Sequence, residues 1–369
     1  MQLNKCFSQI CIALTIFFGS TVTSFATDTR MSIRIGDFND GFARITVNDW
    51  QSIIDKTGNL VIKPFERLGN YSEGLVAAKI NNKWGYVDVT GKQVIAPQFD
   101  FANDFNEGLA VIEIDGKWGF IDRTGKQVIA PQFTNEESFS EGLAIVEVKG
   151  KWGFIDKSGK QVIDPQFDDR AFFREGLARV QLNGKSGFIN KTGSMVIVPQ
   201  FEHYKVYDFH EGWAAIKIDG KFGFIDQLGK LVIAPLLDDL PTLSEGLASV
   251  NVSRKWGFIN KAGDLVIAPQ FDWVGEFHEG LAAVRVNGEF GFIDKTGKMV
   301  IKPHFYEISR DMGGSVVEGF KDGVVGVVLN HKVGYINHEG KWAISPEVLI
   351  KSVENYVFLV EQKKAKKID

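Results

Sequence analysis

The feature that most constrains this chain is a thirteen-residue pattern that returns along its whole length. The pattern reads KWGFIDKSGKQVI from Lys151 to Ile163, and close copies begin at Lys83, Lys117 and Lys255. Similarity at a fixed period is the signature of a repeat architecture, in which each unit is a small module that packs against its neighbours. The chain of 369 residues is therefore predicted to grow unit by unit and not to divide into ordinary globular domains.

Three anchor positions mark every unit. The first is a Gly, called here the opening Gly; the second follows 11 residues later and is Gly in all units but the first; the third is a Pro 12 residues beyond that. Both intervals hold in nine units, and only the linker from each Pro to the next opening Gly changes length. The opening glycines of units 1 to 9 are Gly41, Gly74, Gly108, Gly142, Gly176, Gly212, Gly246, Gly280 and Gly323.

Each unit is predicted to be a three-stranded antiparallel meander. In the unit that opens at Gly280, two apolar strands flank Asn287-Gly288, a strong signal for a two-residue hairpin turn. A second turn then places Asp or Asn three residues before a Gly, as in Asp122 to Gly125, where the side chain can accept a backbone N–H. Apolar residues on both strand faces indicate that every meander is sandwiched between its neighbours.

We predict an all-β fold for residues 27–350, with nine tandem meanders stacked in an open, solenoid-like array. A propeller-like closed ring is the alternative. The open array is favoured because no unit is split between the termini, and because nine units exceed the usual four to eight blades of a propeller. Residues 351–369 are predicted to form a capping strand, which includes Phe358-Leu359-Val360, and a basic tail that ends in Lys363 to Lys367.

The first 26 residues have the pattern of a secretory signal peptide. Lys5 is followed by a thirteen-residue apolar run, and Ser24-Phe25-Ala26 supplies small residues for cleavage. That run would span about 20 Å as a helix, less than the roughly 30 Å of a bilayer core. The protein is therefore expected to be exported to the periplasm or the cell surface, with no transmembrane segment in the mature chain. Both cysteines, Cys6 and Cys11, lie in the signal segment.

Composition and motifs argue against several classes of function. A net charge of −4 and a pI near 6.0 do not suit a nucleic-acid-binding protein, which needs a basic surface. The six histidines lack metal-ligand spacing, and no catalytic, cofactor-binding or phosphate-binding motif occurs. The sequence thus predicts no catalytic residues, no metal site and no cofactor.

The recurring motif resembles the bacterial WG repeat family, named for its Trp-Gly pair. That pair stands at Trp84-Gly85, Trp118-Gly119, Trp152-Gly153 and Trp256-Gly257, and the resemblance covers roughly residues 38 to 350. The resemblance implies β-hairpin repeats and a binding function in an exported or cell-surface protein. It implies no catalytic residues.

Residues that recur in every unit are predicted to be structural. The repeated Trp and Phe are interpreted as core and not as a ladder for sugar or peptide stacking, because stacked sheets need a large apolar residue at the same point of each unit. The Asp or Asn of the second turn is interpreted as a turn cap and not as a calcium ligand. The Glu that precedes most opening glycines is expected to make a hydrogen bond or an ion pair with a recurring Lys.

Function is therefore sought where the repeat is interrupted, since insertions in repeat proteins often map to the binding face. The candidate binding residues are Arg310 and Asp311 in the longest linker, and Tyr204, Tyr207 and Trp213 around a shorter insertion. The leading hypothesis is an exported, non-enzymatic scaffold that binds a protein or a cell-wall carbohydrate. The alternatives are a hydrolase with its active residues in the irregular linkers, and a structural surface protein without a specific ligand.

Overall fold

A computed structural model describes residues 33–47, 50–135, 138–202, 204–308, 319–330 and 332–366. Units 1 to 3 contain β1 (Ile33–Ile35), β2 (Phe42–Val47), β3 (Trp50–Asp55), β4 (Arg67–Ser72), β5 (Leu75–Ile80), β6 (Lys83–Val87), β7 (Gln93–Phe99), β8 (Phe101–Ala102), β9 (Leu109–Ile114), β10 (Lys117–Asp122) and β11 (Gln127–Phe133). Units 4 to 6 contain β12 (Leu143–Val148), β13 (Lys151–Asp156), β14 (Gln161–Phe167), β15 (Phe173–Arg174), β16 (Leu177–Leu182), β17 (Lys185–Asn190), β18 (Met195–Glu202), β19 (Trp213–Ile218), β20 (Lys221–Asp226) and β21 (Leu231–Leu237). Units 7 to 9 contain β22 (Leu243–Ser244), β23 (Leu247–Val252), β24 (Lys255–Asn260), β25 (Leu265–Phe271), β26 (Trp273–His278), β27 (Leu281–Val286), β28 (Glu289–Asp294), β29 (Met299–Phe305), β30 (Glu307–Ile308), β31 (Val325–Leu329), β32 (Lys332–Ile336) and β33 (Trp342–Ile344), and helix α1 (Pro346–Lys366) follows.

Each unit is one antiparallel sheet whose strands follow one another in chain order, and the nine predicted meanders are confirmed. Six sheets have a fourth strand, which the linker supplies just before the opening Gly. In unit 4 this strand is reduced to a bridge between Ser140 and Leu143. The residue three positions before the opening Gly is usually aromatic and holds the linker against the preceding unit; Phe105, for example, is buried and packs on Tyr86 with their rings 4.8 Å apart.

The Trp-Gly pair lies in the third strand of a unit, opposite a bulge in the fourth. Trp152 is 8% exposed, as expected for a core residue, and the pairing of β13 with β14 changes register between Trp152 and Phe154. A Cβ on Gly153 would lie only 2.6 Å from the carbonyl oxygen of Ile163, so glycine is needed where the bulged backbone approaches. The close approach is made by the last strand of the same sheet.

The second turn of each unit is held by its Asp or Asn, as predicted. In unit 4 the Oδ1 atom of Asp156 accepts hydrogen bonds from the backbone N–H groups of Ser158 (2.9 Å) and Lys160 (3.0 Å). Gly159 has a φ of 85°, a conformation that glycine adopts without strain. The same contacts form at Asn190 and Asn260, which explains why Asn replaces Asp freely.

The core consists of apolar clusters that lie between consecutive sheets. Among the described residues, nine such clusters form, and each joins two neighbouring units. Eight of them join units 1–2, 2–3, 3–4, 4–5, 5–6, 6–7, 7–8 and 8–9. The ninth joins unit 9 to unit 1 and includes Ile35, Phe38, Val328 and Tyr335. Nine units with nine joints form a closed ring.

Hydrogen bonds at the joints repeat as regularly as the apolar clusters. The Glu before an opening Gly accepts a hydrogen bond from the N–H of the next unit's opening Gly; Glu141 accepts from Gly176 at 2.9 Å. A Lys from the second turn of that next unit then pairs with the same Glu, as Lys191 does at 3.0 Å. The predicted structural role of these glutamates is thereby confirmed. Further Glu–Lys pairs form between Glu107 and Lys157, Glu211 and Lys261, and Glu245 and Lys295.

The joint between units 9 and 1 uses the same contacts as the interior joints. Asp322 takes the place of Glu and accepts a hydrogen bond from the N–H of Gly41 at 2.6 Å, while Lys56 donates to the carbonyl oxygen of Asp322 at 2.6 Å. The hydroxyl of Tyr335 donates to the carbonyl oxygen of Gly36 at 2.8 Å. Tyr86 makes the equivalent bond to Asn103 at 2.7 Å, so the closing joint has the geometry of an ordinary one.

The predicted all-β array of nine meanders is confirmed, and of its two predicted forms the propeller-like ring accounts for the joint between units 9 and 1. The strands of unit 1 all come from the N-terminal part of the chain, and those of unit 9 all come from its C-terminal part. The ring therefore closes through side chains and one helix, without a strand shared between the ends. The lack of a split unit was not evidence against a ring.

The segment predicted to be a capping strand belongs to helix α1. Leu349, Val353 and Tyr356 are spaced as one face of a helix, and all three are buried in the cluster that joins units 9 and 1. Pro346 occupies the first turn, where a missing N–H costs nothing. The apolar triplet that begins at Phe358 suggested a strand, but Phe358 itself is exposed.

Substitution of Asp322 tests ring closure. We expect Asp322→Ala to lower the free energy of unfolding by about 1–2 kcal/mol, because it removes a hydrogen bond to a charged group. Chemical denaturation measures the change, and Glu141→Ala at an interior joint is the matched control. A loss at Glu141 with no loss at Asp322 would contradict the closed ring.

Substitution on the two faces of helix α1 tests its packing. Leu349→Ala should reduce the free energy of unfolding by about 2–4 kcal/mol, since it leaves a cavity in a packed cluster. Phe358→Ala, at a residue that is 55% exposed, should change it by less than about 0.5 kcal/mol. Equal effects at the two positions would show that the helix does not dock through the Leu349 face.

Candidate functional site

A polar cavity of about 670 Å³ lies at the inner edge of the ring. Its lining comes from units 1 to 4 and unit 9, mainly from the linker strands that precede the opening glycines. These strands face the centre of the ring, whereas the fourth strands lie at the outside, where residues such as Val198 and Leu236 are exposed. The polar residues on which the cavity's chemistry depends are Asp37, Asn39, Arg44, Asn70, Asp104 and Asn106.

Two positions of each linker supply most of these groups. The fourth residue before the opening Gly is called here the inner position, and the second residue before it is called the rim position. Strand geometry places both on the same side, while the aromatic residue between them is buried. The inner positions of units 1 to 4 are Asp37, Asn70, Asp104 and Ser138, and the rim positions are Asn39, Ser72, Asn106 and Ser140.

The rim residues of units 1 to 4 fix the spacing of neighbouring units. Each donates a hydrogen bond to a carbonyl oxygen of the next unit, and three of the four distances lie between 2.6 and 2.7 Å. Asn39 makes the longest of these bonds, 3.3 Å to the carbonyl oxygen of Tyr71. The rim side chains thus form a continuous series of hydrogen bonds from unit to unit along the wall of the cavity. Their polar groups also face its opening.

Asp104 is the most strongly held carboxylate of the cavity. Asn70 donates to it twice, from its backbone N–H at 2.9 Å and from its side-chain Nδ2 at 3.0 Å. Gly69 allows this approach, because a Cβ at that position would collide with the carboxylate. Burial raises the pKa of Asp104 above its usual value, although the bonds from Asn70 and the charge of Arg44 act in the opposite direction.

Among the cations of the cavity, Arg44 has the features expected of a group that binds a ligand. It extends from β2, and its Nη1 atom donates to the carbonyl oxygen of Leu68 at 3.0 Å. Burial lowers the pKa of Arg44 from its ordinary value, and the charge of Asp104 counteracts part of that effect. The Nε atom of Arg44 is buried and has no hydrogen-bond partner among the residues that the structure describes. A buried donor without a partner is costly, and a ligand acceptor would remove that cost.

Metal binding receives no support from the described part of the chain. No group of three or more His, Cys, Asp or Glu side chains there is arranged to hold a metal ion. The described residues also include no helix with the length and apolar character needed to cross a membrane.

The residues predicted from the two insertions lie apart from the cavity or outside the described residues. Arg310 and Asp311 fall in the segment 309–318, which is outside the described ranges. Tyr204 is 77% exposed in the linker between units 5 and 6. Trp213 is buried against Phe224, with the rings 5.1 Å apart, and Tyr207 packs against the same cluster. Trp213 and Tyr207 are therefore parts of the core of the unit 6–7 joint.

Sequence reasoning missed Arg44, Asn70 and Asp104, although a signal for Arg44 was present. It is the third residue after an opening Gly, where units 2, 3 and 4 have Ala77, Val111 and Ile145. A charged residue at a position that is small or apolar in seven of the nine units departs from the repeat as clearly as an insertion does. The insertions are changes of length, whereas Arg44 is a change of chemistry at constant length.

Comparison with known proteins identifies the repeat. A family described as WG containing repeat matches residues 52–84, 84–118, 118–152, 152–185, 187–222, 222–256, 256–289 and 290–312. The fold is similar to a solved structure of a eukaryotic initiation factor, with 11% identity and a TM-score of 0.53 over 79% of this chain and 92% of that one. Kluyveromyces lactis Hsv2 is similar at 11% identity, with a TM-score of 0.37 over 69% of this chain and 93% of that one. The extracellular domain of a hybrid two component system from B. thetaiotaomicron is similar at 9% identity, with a TM-score of 0.32 over 88% of this chain and 61% of that one. No curated protein matches the chain.

The raised pKa of Asp104 predicts how stability changes with pH. The folded protein holds this proton at a pH at which the unfolded chain has lost it, so the contribution of Asp104 to stability should fall as pH rises through the raised pKa. Asp104→Asn should therefore gain stability relative to the unsubstituted protein as pH rises from about 3 to about 7, measured by chemical denaturation.

The control for this experiment is Asp100→Asn. The hydrogen bond from Lys83 lowers the pKa of Asp100, so its contribution is present above the ordinary pKa of Asp and is lost as pH falls through the lowered one. Asp100→Asn should therefore lose stability relative to the unsubstituted protein as pH rises, which is the opposite of the trend expected for Asp104→Asn. The same pH trend in both variants would contradict the assignment for Asp104.

Proposed function

Because the chain belongs to the WG containing repeat family, we propose that it is a binding scaffold and not an enzyme. In this proposal the ring of nine sheets holds a polar segment of a partner at its inner edge. The cavity lined by units 1 to 4 and unit 9 is the observation that carries the proposal. Export through the predicted signal peptide, residues 1–26, is part of the same proposal, and that segment lies outside the described residues.

The chemistry of the cavity supports binding. Its amide, hydroxyl and charged groups are already positioned by contacts within the protein, such as Ser72 on the carbonyl oxygen of Phe105 and Asn70 on Asp104. Groups that are fixed before binding lose little conformational freedom when a ligand arrives. A rigid wall with both donors and acceptors suits a polar partner better than an apolar one.

A non-enzymatic role is favoured by the way these groups are used. Asp104 is bonded to amide donors, and the rim residues are bonded to main-chain carbonyls. A nucleophile bonded to a general base, as a hydrolase would need, is absent from the described lining of the cavity. The residues therefore hold positions and charges, which is what recognition requires.

A photo-crosslinking residue placed at Lys321 tests the proposal. Lys321 is exposed and lines the cavity, whereas Val198 is 63% exposed on an outer strand and is the matched control. The full chain is expressed in its native envelope, irradiated and analysed for adducts by mass. We expect one predominant adduct from position 321 and none of that mass from position 198.

Two results would overturn the proposal. The first is a lack of adduct at position 321, or the same adduct at both positions, which would place binding away from the cavity. The second is turnover of a substrate that survives repurification and is lost on substitution of a cavity residue. That result would establish an enzyme in place of a scaffold.

A further inference from the structure

The repeat supplies an internal comparison for Arg44. The third residue after the opening Gly is Arg in two units only, Arg44 in unit 1 and Arg179 in unit 5. Both arginines extend from the second strand of a unit towards the linker of the next one. In the other units this position is small or apolar: Ala77, Val111, Ile145, Ala215, Ser249, Ala283 and Gly326.

Arg179 shows which partner this position binds. Its Nε atom donates to the Oδ1 atom of Asp208 at 2.8 Å. Asp208 occupies the inner position of unit 6, four residues before Gly212. The guanidinium of one unit is therefore neutralised by a carboxylate at the inner position of the next unit.

Arg44 lacks that carboxylate. The inner position of unit 2 is Asn70, and its side-chain amide is bonded to Asp104 of unit 3 at 3.0 Å. The Nη1 atom of Arg44 donates to the carbonyl oxygen of Leu68, and the charge of Asp104 acts on the guanidinium without a hydrogen bond to Nε. The Nε atom is buried without a hydrogen-bond partner among the described residues. The atom that binds a carboxylate in unit 5 is thus buried and unpaired in unit 1, in a residue that lines the cavity.

We propose that Arg44 binds a carboxylate of a peptide ligand, which takes the place that Asp208 occupies beside Arg179. This inference rests on the proposed binding function of the cavity. The planar guanidinium can bind a carboxylate through two parallel hydrogen bonds, which gives both orientation and strength. The peptide groups of the ligand then meet the amides of Asn39 and Asn106, which offer both donors and acceptors.

The charges of the lining favour a singly charged group. Arg44 and Lys321 are balanced by Asp37 and Asp104, all of which line the cavity. A carboxylate adds one negative charge beside Arg44, whereas a phosphate would add up to two in front of two existing carboxylates. Coulomb repulsion at these short ranges disfavours the phosphate.

A peptide is favoured over a sugar because the aromatic rings of the lining are already engaged. Tyr71 packs on Phe42 with the rings 4.7 Å apart, and Phe105 is buried on Tyr86. Each of these rings already has an aromatic neighbour, which reduces the face on which a sugar could stack. The N–H groups of Leu68 and Asn70 in β4 are already bonded to Gln51 and Asp104, so the main chain of a peptide binds the side-chain amides of the lining and not the strand edge.

Calorimetric titration of the full chain with matched peptides tests the inference. The probes are N-acetyl-tetraalanine with a free C-terminal carboxylate, the same peptide as its C-terminal amide, and that amide with one Ala replaced by Asp. Digalacturonate and inorganic phosphate are the competing anions. We expect at least one carboxylate-bearing peptide to bind about tenfold or more tightly than the amide without Asp. The peptide that binds identifies the source of the carboxylate as the chain terminus or a side chain.

Two variants connect binding to Arg44. Arg44→Gln should weaken peptide binding about tenfold or more, whereas Arg179→Gln should leave it unchanged. The double variant Asn70→Asp with Asp104→Asn moves the carboxylate to the inner position of unit 2 and keeps the net charge. It should fill the Arg44 site from within the protein, abolish peptide binding, and unfold at a temperature no lower than that of the unsubstituted protein.

Several outcomes would overturn the inference. They are equal affinity for the acid and the amide, binding of digalacturonate or phosphate in preference to the peptides, a lack of binding by every carboxylate probe, and unchanged binding in the folded Arg44→Gln variant. Crosslinking at Lys321 distinguishes failure of the Arg44 carboxylate site from failure of the proposed scaffold function. An adduct that persists in Arg44→Gln would leave the scaffold function standing without the carboxylate site.

Discussion

The structure depends on burial of both faces of every sheet. A single unit has apolar residues on each side, such as Ile145 and Val146 in β12, and cannot shield both from water by itself. Each sheet therefore needs two neighbours, and a linear stack would always leave two faces exposed. Closure into a ring removes both ends at once. A carboxylate that accepts a hydrogen bond from the next unit's opening Gly then sets the spacing and orientation of each joint. At the last joint Asp322 accepts the same bond from Gly41.

Because the same contacts recur at every joint, the units share one scaffold. The chemistry of the binding surface therefore comes from the positions at which the units differ. The inner and rim positions vary most in chemistry, because they face the centre and carry little of the apolar packing. In units 1 to 4 they are amides, hydroxyls and carboxylates, and these units line the cavity. Arg44 adds a charge at a position where only unit 5 has another charged residue, Arg179. The joints explain why the protein is stable, and the departures from the repeat explain what it can recognise.

Much of the unit could be predicted from the sequence, because its determinants are local. The two constant intervals identified nine meanders, and the turn residues Asp156 and Gly159 behave as their positions require. Closure could not be derived in the same way, since Gly41 and Asp322 are 281 residues apart and their contact depends on the summed rotation of all units. The helix was missed because an apolar triplet masked the spacing of Leu349, Val353 and Tyr356. The cavity was missed because side chains from five units meet there only after the ring has closed.

Closure without a shared strand has a consequence for how such a chain can change. A ring that is fastened by strand exchange assigns fixed roles to its first and last segments. Here the joint between units 9 and 1 uses the same aromatic packing, with Phe38 and Tyr335 5.0 Å apart, as the joint between units 4 and 5, where Phe154 and Phe173 are 4.9 Å apart. The aromatic contact of the last joint is thus an ordinary one, and helix α1 is the addition that distinguishes this joint from the other eight. Circular permutation at a linker would preserve the contacts of every joint and alter only the order of the blades, whereas duplication of a unit would also change the summed rotation on which closure depends.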